Sequence, residues 1–89
     1  MKIVWTPAAR IALDEIYDYT VLNFGQTVAA RIVTDFDSEV YKVAKFPGMG
    51  RPAVRAGVRE VIVYPFLLQY KVDEKQLTVL RIRHGRRSQ

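Results

Sequence analysis

The sequence predicts an α+β fold of element order β-α-α-β-β-β, a helical hairpin packed on one face of a small antiparallel-dominated sheet. Three observations carry this expectation. Apolar residues recur at helical spacing through two adjacent stretches before Pro47. Short β-type runs stand at the N-terminus and three times after residue 57. The link between the two helical stretches is short, so they fold back on one another.

Lys2 to Trp5 is the first β-type run. Thr6-Pro7 then starts a helix, with Thr6 as N-cap and Pro7 at the first helical position, where a missing N–H costs nothing. Ala9, Leu13, Ile16, Thr20 and Phe24 make its apolar stripe, widened by Tyr17, while Arg10, Asp14 and Asp18 lie on another face. Gly25 is the natural stop. A second helix begins at Gln26 or Thr27, carries Ala29, Ile32, Phe36, Val40 and Val43 inward, and ends before Pro47. Two helices joined so closely form an antiparallel hairpin.

The Pro- and Gly-rich stretch FPGMGRPAVRAG, residues 46–57, reads as a loop in which Arg51 ties down the backbone. Val58 to Tyr64, Phe66 to Val72 and Leu77 to His84 read as strands, separated by Pro65 and by the hairpin loop Asp73-Glu74-Lys75-Gln76. Tyr70 reads as sheet packing or an edge contact, and Trp5 as core.

Composition narrows the function classes. With 89 residues, 49% of them hydrophobic, the chain is expected to form one domain, 1–89, with a core of its own. There is no cysteine, which removes disulfides and thiolate metal sites and suits a reducing, cytoplasmic setting. No metal site and no cofactor is expected. The longest nearly apolar run, Val61 to Leu68, contains Pro65 and falls far short of the roughly 20 residues of a membrane span. MKIVWTP is too short for a signal peptide, so a soluble protein without membrane contact is expected.

Charge is uneven along the chain. Residues 1–44 hold four Lys or Arg against six Asp or Glu, a net −2, and residues 45–89 hold ten against three, a net +7. The second half is either a solvated basic face or a surface for a polyanionic partner, nucleic acid or an acidic protein segment. The density peaks in VLRIRHGRRSQ, where Arg81, Arg83, Arg86, Arg87 and the only histidine, His84, crowd together. By period two, Leu77, Val79, Arg81 and Arg83 share one face of the last strand, and Thr78, Leu80, Ile82 and His84 the other. Burying two unpaired guanidiniums is expensive, so Leu80 and Ile82 are expected in the core and Arg81 and Arg83 on the open face.

The succession T-P-A-A, FP-x-x-GRP, G-x-R-E, Y-x-V and VLRIRHGRR, with two helices between the first and second, resembles the RelE/ParE superfamily, the toxins of type II toxin–antitoxin modules. The resemblance spans essentially the whole chain and lies closer to the ParE branch through the FP-x-x-GRP loop and the VLRIRH-x-x-R ending. It implies a stress or plasmid-stabilization toxin neutralised by a cognate antitoxin, which supplies most of any operator DNA binding. ParE-like members inhibit DNA gyrase. RelE-like members cleave mRNA on the ribosome, and that is the alternative.

Cleavage at a 2′-hydroxyl needs a base, a stabiliser for the phosphorane and an acid for the leaving oxygen. Arginine stabilises but does not shuttle protons. A nuclease built from this chain would therefore use His84 with Arg81 and Arg87. RelE-like nucleases usually carry an arginine just ahead of the Y-x-V, where this chain has Leu67, and Arg86 to Gln89 holds no tyrosine or histidine. For a binding toxin, the residues expected to meet target or antitoxin are Arg59, Arg81, Arg83, Arg86 and Arg87. Arg59-Glu60 could equally make cross-strand ion pairs, and His84 could be a structural hydrogen-bonder.

Overall fold

A computed structural model describes residues 1–85. Strand β1 (Lys2–Trp5) leads into helices α1 (Pro7–Phe24) and α2 (Gln26–Lys45). A single 3₁₀ turn, Pro47–Met49, precedes the two-residue strand β2 (Arg51–Pro52), which interrupts the stretch expected to be loop. Strands β3 (Arg59–Val63), β4 (Phe66–Val72) and β5 (Gln76–His84) complete the fold. The sheet order is β1-β5-β4-β3-β2; β1 runs parallel to β5 and every other pair is antiparallel. The expected α+β hairpin-on-sheet architecture is therefore the observed one.

The helix boundaries follow from their caps. Thr6 Oγ1 accepts from the Ala9 N–H at 3.1 Å, and Pro7 follows at the first helical position. Gly25, at φ +92°, turns the chain between α1 and α2 in a conformation L side chains rarely adopt. Phe36, Val40 and Val43 of α2 and Ala9 and Leu13 of α1 pack on Val61, Leu68, Tyr70, Leu77, Val79 and Ile82 of the sheet. Phe24, expected inside, is instead 65% exposed at the hairpin tip. As the last residue of α1 it lies on the rim of a cleft shared with the sheet rather than in the core.

The last strand departs from strict alternation. Tyr70 pairs with Val79 but Gln69 with Arg81, so Leu80 is an extra residue bulged out of the ladder. The bulge corrects the face assignment: Leu77 and Val79 are fully buried on the helix side, while Leu80 is only half-buried. Ile82 is in the core and Arg81 lies on the opposite face, both as expected. The Leu80 carbonyl accepts from the Thr6 hydroxyl at 2.8 Å, so the residue that caps α1 also satisfies the bulge.

Candidate functional site

The face of the sheet away from the helices carries two rows of side chains. Arg51 pairs with Glu60, Glu60 with Gln69 and Gln69 with Arg81, so one row crosses β2, β3, β4 and β5. The neighbouring row is Ile62, Leu67 and Arg83. Glu60 is the hub. Its Oε1 accepts from Arg51 Nε at 3.0 Å and faces Arg51 Nη2 at 2.9 Å. Its Oε2 accepts from Gln69 Nε2 at 3.1 Å and faces Arg83 Nη2 at 3.7 Å.

Glu60 is only 7% exposed, as a carboxylate must not be unless it is paired. The Gln69 amide draws its pKa down, burial pushes it up, and Arg51 and Arg83 draw it further down, leaving it below the ordinary carboxylate value. A folded-state pKa lower than the unfolded one contributes stability above the unfolded value, and that contribution disappears as pH falls through the folded value. Glu60→Gln should therefore cost about 1.5–3 kcal/mol near pH 7, the worth of hydrogen bonds to a charged group. The lower end is expected, since the Arg51 side chain is 61% exposed to solvent screening. In urea titrations the gap between parent and variant should begin to narrow as pH drops below about 4.5, the ordinary value, and close once pH has passed the lower folded value. A gap unchanged at pH 3 would mean that the carboxylate's charge is not what stabilises.

The residues singled out by sequence divide between the two faces. Arg81 is exposed and Arg83 half-buried on the open face, together with Arg51. Arg59 is elsewhere: it pairs with the buried Tyr70 on the helix side. There its Nη1 donates to the Gly50 carbonyl at 2.6 Å and the Gly48 carbonyl at 3.5 Å, so it braces the loop. His84 also faces the helix side, paired with Phe66, with the two rings edge-to-face at 5.6 Å. Arg86 and Arg87 lie outside the described residues. Thus Arg81 and Arg83 share the open face, while Arg59 and His84 face the helix side, where Arg83 also reaches the lining of a cleft beside His84.

Two features went unread in the sequence. One is that the cross-strand ion pairing expected of Glu60 gathers Arg51, Gln69 and Arg83 at once, for which its being the sole carboxylate between residues 45 and 72 was a visible signal. The other is a cleft of about 850 Å³ between α1, α2 and the β3–β4 end of the sheet. Its walls include Ile16, Tyr19, Phe24 and Val28 from the helices and Phe66, Ile82 and His84 from the sheet, with Glu15 also on its lining. Among the described residues no three His, Cys, Asp or Glu side chains gather to hold a metal ion. Also among them, no helix is long and apolar enough to cross a membrane.

A two-helix hairpin on one face of this sheet is an architecture shared with known toxins. Residues 3–89 match the family model of the ParE toxin of the type II toxin–antitoxin system, parDE. The chain is 33% identical to Toxin RelE2 of Caulobacter vibrioides over 87 residues, covering 97% of each. It is 29% identical to Toxin ParE3 of the same organism, over 96% of this chain and 87% of that protein. Among solved structures, a chain of the chromosomal ParDE toxin–antitoxin system from P. aeruginosa superposes with a TM-score of 0.81 at 33% identity, over 94% of this chain and 95% of that one. The chain belongs to the ParE toxin family of type II toxin–antitoxin systems, within the RelE/ParE superfamily.

Proposed function

We propose that this chain is a toxin that inhibits DNA gyrase by binding, through the basic open face of its sheet, and that a cognate antitoxin neutralises it. The observation that carries the reading is the separation of His84 from Arg81. General acid–base cleavage needs a proton-transferring group and a phosphate-stabilising cation converging on one scissile bond. Here the imidazole stacks edge-on against Phe66 on the helix side, and Arg81 stands on the other face of the strand. Leu67, not a cation, lies opposite Arg83. The geometry suits an interface better than a nuclease centre.

The same separation assigns work to the helix side. The apolar cleft there is a surface that an amphipathic antitoxin segment would cover, as befits a relative found in a ParDE system. Toxin and target would then meet on one face of the sheet and antitoxin on the other, in the cytoplasm where gyrase acts. Supercoiling and ribosome-dependent mRNA cleavage, assayed with one preparation, test the reading. Supercoiling should be inhibited, mRNA should stay intact, and the product of a neighbouring antitoxin gene should restore gyrase. Cleaved mRNA with untouched supercoiling would reverse the choice of target.

A further inference from the structure

A carboxylate at the centre of a cationic surface subtracts charge from it, so the position of Glu60 needs a reason. We infer that Glu60 is the positioning residue of the open face, holding Arg51 and Arg83 so that Arg81 and Arg83 together meet a carboxylate of an acidic protein surface. The inference rests on the reading that this face contacts the target, and it adds which residue organises the contact and which chemistry it takes.

The geometry gives the mechanism. Arg81 and Arg83 are successive side chains on one face of β5, so their like charges drive them apart. Both also belong to a residue type with large rotamer freedom, which binding must remove. Glu60 counters this for Arg83, whose Nη2 sits 3.7 Å from Oε2. The Arg83 Nε is buried and makes no hydrogen bond among the described residues, so among them the Glu60 carboxylate is the charged group that the Arg83 guanidinium faces. The Arg83 side chain is 35% exposed, so the outer end of its guanidinium can still donate to a ligand. At the other end of the row, the paired contacts of Arg51 Nε and Nη2 with Oε1 fix a second guanidinium. Gln69 locks the carboxylate itself from β4. Three arginines against one glutamate leave the face cationic.

The flank of the site selects protein over nucleic acid. Ile62, 58% exposed, continues the same face of β3 beside Glu60, and Leu67 links it to Arg83 across the sheet. Arginines beside an exposed isoleucine, rather than beside further cations, suit a protein interface, where arginine is enriched. A nucleic-acid surface would extend the cations where Ile62 stands.

The test turns on a sign. Glu60→Gln makes the full-length toxin more cationic, so long-range attraction alone would strengthen its grip on an acidic partner. Positioning requires the opposite, because two arginine side chains must then be ordered on binding. The toxin concentration giving half-inhibition of supercoiling should rise about tenfold. Nitrogen-15 spectra of the arginine side chains should show the Nε–H signals of Arg51 and Arg83 resolved in the parent and merged into the solvent-exposed group in Glu60→Gln. Arg83→Lys, which keeps the charge and loses the fork, should weaken inhibition similarly and serves if Glu60→Gln folds poorly.

Inhibition by Glu60→Gln or folded Arg83→Lys equal to or stronger than the parent's, with Arg81→Ala impaired, would overturn the positioning role and leave the open-face reading standing. Undiminished inhibition by Arg81→Ala would instead defeat the open-face reading itself. Salt-sensitive binding of a short DNA duplex, lost in Arg81→Ala, would overturn the protein partner in favour of a phosphate backbone.

Discussion

Gly50→Ala is expected to destabilise the protein by about 2–4 kcal/mol, combining overpacking with the loss of buried hydrogen bonds. In a domain of this size that lowers the melting temperature by roughly 10–25 °C. The backbone at Gly50 is ordinary, with φ −72° and ψ 153°, so the glycine is there for space. A Cβ would sit 2.5 Å from the Tyr70 hydroxyl, 2.8 Å from its ring and 2.9 Å from the Glu60 carbonyl. None of these can retreat cheaply. Tyr70 is fully buried, and its hydroxyl accepts from Gly50 N–H at 3.0 Å while donating to the Pro47 carbonyl at 2.8 Å. The Gly50 carbonyl in turn accepts from Arg59. Burial pushes the Tyr70 pKa up, with Gly50 and Arg59 opposing, in keeping with a neutral phenol that both donates and accepts.

A double-mutant cycle separates the two components of that cost. Tyr70→Phe alone removes the hydroxyl and strands the Gly50 N–H and the Pro47 carbonyl, for about 1–3 kcal/mol. Adding Gly50→Ala to Tyr70→Phe should then cost less than it does in the parent, because the atom it strikes first is gone. Strict additivity in thermal or urea unfolding would show that the clash with the hydroxyl is not the source of the destabilisation. The functional link is short. Arg51 follows Gly50 directly, so a displaced loop also withdraws the guanidinium that pairs with Glu60.

The elements that could be read from the chain are those whose signals are local. Thr6-Pro7 and Gly25 set the limits of α1 through capping geometry, and Phe36, Val40 and Val43 turn inward because their spacing matches the helix. The faces of β5 could not be read from parity, since a bulge at Leu80 moves every residue before it to the other side. The apolar spacing at Leu77, Val79, Leu80 and Ile82 carried the hint: two adjacent apolar residues inside an alternating run fit a bulged residue as well as a core on both faces. Arg81 and Arg83 were placed correctly because the argument for them was the desolvation of charge, which holds whatever the register. The site partners of these arginines were not legible. Glu60 reaches Arg51, Gln69 and Arg83 only through the pairing of four strands, and Arg59, beside it in sequence, faces the other way and braces the loop.

His84→Gln is expected to leave most of the toxicity intact, whereas charge reversal at Arg81 removes it. If the protein cut mRNA, His84 would have to move the proton, because the arginines around it stay charged and cannot. Acid–base catalysis is typically worth about 10²–10⁴-fold, so a nuclease would lose nearly all cleavage with that imidazole. A binding toxin has no such dependence, and the structure keeps the ring on the side away from Arg81, against Phe66 and on the wall of the apolar cleft. The substitution should therefore act on the antitoxin rather than the target, weakening capture of the cleft-filling segment while half-inhibition of supercoiling stays within a few-fold of the parent. Arg81→Glu should show the converse, with antitoxin binding preserved and supercoiling released. Titrating both variants against gyrase and against the antitoxin gives four measurements. A His84→Gln protein that folds, binds antitoxin normally and has lost its toxicity would place the imidazole at the working centre and make the protein a nuclease.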